Sequence, residues 1–332
     1  MIRSIVAFTS LMVLGLVLTW GGMNYHILKK KAVVGSPSTV EIRKGDTLDS
    51  VIRQLRNQHI AVNTLWFKLY AYRTHLDRML KVGEYVLNEG STAADILTTL
   101  KEGKTRQYVI TFPEGWSFKQ IIQTIEANPN LQHTLSGDMS LAEADIMQKI
   151  GSSQLHPEGQ FFPDTYYFEK NSSDVELLKR AHDKMQKLLA AEWQKRDQDV
   201  PVESPYEALI LASIIEKETA AAEERRMIAG VFSRRLKKDM LLQTDPTVIY
   251  GMGEEYQGDI RRRDLLEPTP YNTYVNKGLP PTPIAMPGKD AIVAALHPAD
   301  GDELFFVARG NGKHAFSATY AMHEKNVATY QR

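Results

Sequence analysis

The chain has 332 residues and 43% hydrophobic content, enough for about two or three small domains of ordinary globular protein. Its 40 basic and 40 acidic side chains cancel, leaving no basic excess for phosphate contacts, so no nucleic-acid partner is expected. Cysteine is absent, which excludes disulfides, thiolate zinc sites, a cysteine nucleophile and an acylated N-terminal cysteine.

No Asp, Glu, Lys or Arg occurs between Arg3 and Lys29, and Ile5 to Trp20 is almost wholly apolar. That length suits one bilayer crossing over residues 5–25 behind a short tail at 1–4, which is cytoplasmic if the bulk of the chain lies outside. The run is long for a signal peptide and no small-x-small cleavage site follows, so an uncleaved anchor is expected. Arg3 and the amino terminus stand on one side and Lys29, Lys30 and Lys31 on the other, so charge taken alone slightly favours the bulk of the chain on the cytoplasmic side.

Residues 26–38, with Gly35 to Ser38 at their end, read as a linker. A weak internal repeat then begins: a strand-like start, a glycine, a hydroxyl residue and a helical pattern. Gly45, Gly90 and Gly115 align, as do Thr47, Thr92 and Ser117, with Val51/Ile52, Ile96/Leu97 and Ile121/Ile122 in register behind them. Any strand, glycine turn and hydroxyl-capped helix would share this layout.

The wording GDTLDSVIRQL from Gly45 resembles the opening of a LysM module, a small β-α-α-β unit that binds N-acetylglucosamine-containing glycans. The module would fill residues 39–103, with a second helix from Leu65 and a closing strand from Gly83. Trp66, Phe67, Tyr70 and Tyr72 are its candidates for sugar stacking, although their spacing suits the core and edge of a helix better. Residues 104–200 read as mixed strand and helix, ending in a long polar helix that includes Val175 to Arg196. Within them EGQFFPDTYYF, from Glu158, holds the carboxylates of Glu158 and Asp164 among aromatics that would either line a cleft or close a core.

In residues 201–332, Ser204-Pro-Tyr-Glu207 reads as a capping box with proline at the first helical position, so a helix is expected from there through Ala220. Leu211, Ile214, Ile215 and Ala222 project to one side of it, and Glu218 falls within that stripe while Glu216 points almost oppositely. A carboxyl on an apolar face is costly to ionise, which raises its pKa and suits a general acid. The same position would also suit a structural glutamate paired with Arg225 or Arg226. A second helix is expected from about Ala222 to Lys238, and the prolines from Pro268 to Pro287 imply rigid loops instead of a sheet.

A water-using glycosidase needs a paired carboxylate. Glu216 is on the wrong face, which leaves Asp245, although Asp followed by Pro also opens turns. His297, His314 and His323 are scattered, and neither H-E-x-x-H nor G-x-S-x-G occurs, so no metal, cofactor or serine nucleophile is expected.

The chain reads LASIIEKETA from Leu211, LLQTDPTVIYGMG from Leu241, PTPYNTY from Pro268, KGLPPTPIAMPG from Lys277 and HPA at His297. In wording and order these motifs resemble the endolytic lytic transglycosylases of bacterial cell walls, the MltG or YceG-like family, and the likeness extends to the apolar N-terminus and EGQFFPDTYYF. The resemblance implies an α+β protein in which Glu218, the second glutamate of E-K-E-T, is the catalytic acid. It implies peptidoglycan glycan strands as substrate, cleavage between N-acetylmuramic acid and N-acetylglucosamine to 1,6-anhydro ends, the bulk of the chain outside the cytoplasmic membrane, and peptidoglycan synthases as partners. In such a mechanism one glutamate gives the proton and takes that of the muramic C6 hydroxyl. Gln243, Thr244, Asp245, Tyr271, Asn272, Tyr274 and Glu158 are the candidates for polar contacts to the glycan. The rivals are a glycan-binding scaffold in which Glu218 is structural and a lysozyme-like hydrolase.

Overall fold

The computed structural model describes residues 2–331 except 44, 77–79, 136–142 and 155. Of residues 2–4 only the side chains are left undescribed; their backbone, expected as a tail, continues the first helix. The chain forms two compact units, one of residues 1–108 with 167–171 and one of residues 109–166 with 172–332.

In the first unit, α1 (Ile2–Asn24) runs into a π-helical turn at Tyr25–Lys29. The span Ile5–Lys29 is long and apolar enough to cross a membrane. Ile27, Ala32 and Val33, within the stretch expected as linker, are buried in the core of this unit. Then come β1 (Ser38–Ile42), α2 (Leu48–Asn57), α3 (Thr64–Arg73), β2 (Gly83–Leu87) and α4 (Ala93–Glu102). β1 and β2 pair antiparallel, Ser38 opposite Leu87 and Ile42 opposite Gly83. The order is therefore β-α-α-β, closed over Val40, Leu55, Phe67, Tyr85 and Ile96. Of the four aromatics on α3, Phe67 is fully buried, Trp66 and Tyr70 pack partly buried against the core, and Tyr72 is exposed.

The chain leaves this unit in β3 (Gln107–Thr111) and continues through α5 (Phe118–Glu126), β4 (Leu131–Gln132), α6 (Glu143–Lys149), β5 (Thr165–Glu169), β6 (Ser172–Ser173) and α7 (Asp174–Trp193). β3 pairs with β5, and β4 lies parallel to β6. Helices α8 (Pro205–Glu218), α9 (Arg225–Lys237), α10 (Asp245–Met252) and α11 (Lys289–Leu296) follow, then the hairpin of β7 (Phe305–Ala308) and β8 (His314–Ser317), then α12 (Tyr320–Tyr330). The class is α+β, as expected. Residues 268–287 contain neither helix nor strand, as their prolines require.

The expected repeat is present as local structure. Thr47, Thr92 and Ser117 each accept a hydrogen bond from the backbone N–H three residues on, and Ser50, Asp95 and Gln120 reach back to complete the box. Gly45, Gly90 and Gly115 precede them at φ of 92°, 81° and 75°, the left-handed region that a side chain resists. Each of these helices thus carries its own start signal.

α8 differs from its expected form in two respects. Residues 208–215 are buried on every side, so α8 is a central helix packed by α7, α9, α10 and α11, not one with a single apolar stripe. It also stops at Glu218: Thr219 is extended, and its hydroxyl accepts the N–H of Ala221 at 3.0 Å. Ala222, expected on the Glu218 face, is exposed in a 3-10 turn at Ala222–Glu224, which takes the place of the expected first turn of α9. The start is as the sequence implies, with one change of partner. The Ser204 hydroxyl accepts the Glu207 N–H at 3.2 Å, while the Glu207 carboxylate takes the N–H of Glu203 at 2.7 Å instead of closing the box on Ser204.

Candidate active site

Glu218 ends α8 at the edge of a cavity of about 370 Å³. One wall comes from Gln243, Asp245 and Tyr274 with Arg235 of α9; the other comes from residues 305–308, His314 and the α12 side chains Tyr320, His323 and Val327. The Thr244 hydroxyl donates to Oε2 of Glu218 at 2.6 Å. Burial pushes the Glu218 pKa up; the Thr244 bond and His314 oppose the shift, and the negative charge of Asp245 adds to it. Placement at a helix C-terminus acts in the same direction as burial, since the carbonyl end of the helix disfavours a negative charge.

Glu216 leaves α8 on another side. Its Oε2 accepts the Gly288 N–H at 2.9 Å, and its Oε1 stands 3.6 Å from Arg225, which also lies 3.5 Å from Asp290. Burial raises the pKa of Glu216 too, against the Gly288 bond and Arg225. A raised pKa therefore does not separate the two glutamates; the cavity does. Arg225 belongs to Glu216, so the structural pairing weighed for Glu218 goes to its neighbour. Arg226 instead donates from Nε to the His297 carbonyl at 2.8 Å.

The other sequence candidates divide into two groups. Gln243, Thr244, Asp245 and Tyr274 gather around Glu218. Tyr274 donates its hydroxyl to Asp245 at 2.5 Å, and Gln243 sits at φ 50°, an uncommon and costly conformation for a residue with a side chain. Tyr271, Asn272 and Glu158 are not among the residues that line the cavity. Tyr271 bonds Thr282 at 2.9 Å and packs edge-on to Tyr250. Asn272 is fully buried, donates to the carbonyls of Asp264, Leu265 and Glu267, and accepts the Tyr274 N–H at 2.9 Å, so it clamps the loop that carries Tyr274. Glu158 accepts the Phe118 N–H at 3.0 Å and the Tyr250 hydroxyl at 3.1 Å, and burial pushes its pKa up to about 7.

Sequence reasoning missed Arg235 and His314. Arg235 donates to the carbonyls of Leu304, Leu241 and Leu242 and lies 5.1 Å from the Phe305 ring centre, tying the two walls together. It stands seven residues after Ile228 and three after Phe232, both buried on α9, so the test that singled out Glu218 would also have found it. His314 carried no comparable signal, because its carboxylate partner Glu224 is 90 residues away in sequence.

The YceG-like family model matches residues 40–329 of this chain. A protein of Bacillus subtilis named endolytic murein transglycosylase is 31% identical over 308 residues, covering 88% of this chain and 84% of that protein. A Streptococcus pneumoniae protein of the same name is 30% identical over 324 residues; the match takes in 88% of this chain but only 58% of that relative's length. Among solved structures, a yceG-like protein from Listeria monocytogenes is similar with a TM-score of 0.56 and 33% identity, covering 87% of this chain and 98% of that one.

Proposed function

Because this chain belongs to the YceG-like family, we propose that it is an endolytic lytic transglycosylase of peptidoglycan, anchored in the cytoplasmic membrane by α1, with Glu218 as its acid. The observation that carries this reading is a carboxyl with raised pKa at the rim of a cavity, held on one oxygen by Thr244. Glu218 protonates the oxygen that bridges N-acetylmuramic acid to N-acetylglucosamine, and the bond from that oxygen to the muramic C1 breaks. The C6 hydroxyl oxygen of the same muramic residue closes on C1, gives up its proton within the site and leaves a 1,6-anhydro end. No water enters the bond. Gln243, Asp245 and Tyr274 supply polar contacts to the glycan, and Thr244 fixes the acid.

The names of the relatives, the apolar span at Ile5–Lys29 and the β-α-α-β order of the first unit support the remaining parts of the proposal. Most of the chain lies outside the membrane, the segment 39–103 is a LysM-like glycan-binding module, and the enzyme works beside peptidoglycan synthases on nascent strands. A fragment beginning near Lys104 is expected to cut with lower activity on long strands and to bind sacculi less.

One observation favours a second reading. Asp245 lines the same cavity as Glu218, so the pair that a hydrolase requires is close at hand. Digestion of peptidoglycan in oxygen-18 water separates the two. Transglycosylation leaves unlabelled ends lighter by one water; label in the reducing ends would sink it and make Asp245 the water-activating base. A non-catalytic scaffold is excluded if cutting depends on Glu218.

A further inference from the structure

Glu224 is a buried carboxylate, 6% exposed, that spends both oxygens on one residue. The backbone N–H of His314 reaches them at 3.0 and 3.1 Å, and Nδ1 of the same histidine lies 2.8 Å from Oε2. Lys313 bonds the adjacent Glu223 at 2.9 Å, fastening the hairpin to the turn that follows α8. Phe306 and Phe316 meet the imidazole at steep angles, with centroids 5.4 and 6.4 Å away, and so fix its plane. His314 lines the cavity of Glu218, and among the described residues its Nε2 takes no hydrogen-bond partner.

A carboxylate on Nδ1 holds the proton there, leaves the Nε2 lone pair facing outward, and stabilises the imidazolium once Nε2 is protonated. A histidine needed only for packing requires neither a buried anion behind it nor an open nitrogen in front. We propose that His314, oriented by Glu224, is the base that receives the proton of the muramic C6 hydroxyl. The proposal rests on the transglycosylase reading and divides between two residues a task that one glutamate would otherwise perform twice.

The step balances. As the proton of Glu218 passes to the leaving oxygen and the C1–oxygen bond breaks, the C6 oxygen bonds to C1 and its proton goes to Nε2. The site is left with a carboxylate at Glu218 and an imidazolium at His314, opposite charges around one cavity, and transfer of a proton through cavity water resets both. Asp245, Tyr274, Arg235 and His323 line the same space, and Glu224 stands behind the ring.

The test uses the full-length chain in detergent with purified peptidoglycan, reading kcat and KM against pH. His314→Ala is expected to lower kcat about 10²- to 10³-fold with little change in KM, to lose the acidic limb of the profile, and to recover partly when imidazole is added. Glu224→Gln is expected to lower kcat about 10-fold or more with little change in KM, because the ring loses the carboxylate that orients it. Wild-type kcat and an intact acidic limb in His314→Ala would overturn the proposal. If His314→Ala does not fold by circular dichroism, Glu224→Gln decides, and wild-type kcat there is the overturning result. Persistent cutting by Glu218→Gln would remove the underlying reading instead, so the two failures are distinguishable.

Discussion

Glu216 and Glu218 stand two residues apart on α8 and serve different neighbours: Glu216 takes the Gly288 N–H and faces Arg225, while Glu218 takes the Thr244 hydroxyl at the cavity rim. Their substitution by glutamine should therefore separate activity from stability. Glu218→Gln is expected to stay folded and lose at least about 10³-fold in kcat, because the amide keeps the packing and has no proton to give. Glu216→Gln is expected to keep most of its turnover and lose about 1–3 kcal/mol of stability, since a half-compensated Arg225 remains. Paired turnover and denaturation measurements check both; a dead Glu216→Gln beside an active Glu218→Gln would reverse the assignment.

Thr244→Val removes a donor that favours ionised Glu218. The pKa of the acid then rises further. Glu218 must be protonated to act, so activity is lost as pH rises through that pKa, and the alkaline limb of the profile should move to higher pH in the variant. A limb that stays in place would mean that another group sets it.

Glu158 gives a stability prediction with the opposite sign to that of most carboxylates. Its pKa is about 7 in the folded chain against an ordinary 4.5, so the folded state holds a proton that the unfolded state releases between those values. The associated stability is complete below about pH 4.5 and falls as pH rises through 7, by roughly 3 kcal/mol in all. Glu158→Gln mimics the protonated form, since its amide oxygen can accept from Phe118 while its amide nitrogen donates to Tyr250. Melting curves at pH 5 and 8 should therefore differ less for the variant than for the parent, and an equal difference would show that Glu158 does not titrate in this range.

Asn272→Leu should destabilise by about 2–4 kcal/mol, because it leaves the carbonyls of Asp264, Leu265 and Glu267 and the N–H of Tyr274 without their buried partner. Cutting should decline with it, as Tyr274 is released from Asp245. Chemical denaturation followed by intrinsic fluorescence reads the first effect, and an unchanged midpoint would contradict the clamp.

What was legible in the sequence follows from distance along the chain. The glycines before Thr47, Thr92 and Ser117 and the Ser204-Pro start of α8 are local signals, decided within four residues, and the structure contains them all. The end of α8 was not legible: Thr219 and Ala220 suit a helix well enough, and only the fold shows that the chain turns there. Periodicity also treated α8 as one-sided, because a helix buried all round leaves no polar face to betray its surroundings. Within the motifs, conspicuous polarity did not distinguish cavity from scaffold. Asp245 and Tyr274 face Glu218, whereas Asn272, between Tyr271 and Tyr274, supports the loop from inside. The link between Glu224 and His314 spans 90 residues and had no local trace.

The cavity wall runs as far as Gln331, more than a hundred residues beyond Glu218. Its distinctive acidity is thus conferred by chain that is synthesised after it. When only α8 and the elements before it have formed, Glu218 is a solvated side chain at a helix end and keeps only the smaller shift that the helix end confers, because burial is the main cause of its raised pKa. Loop closures of this length come late in folding. Acid strength then matures with the fold, and a partly assembled chain is spared the chemistry of the finished one.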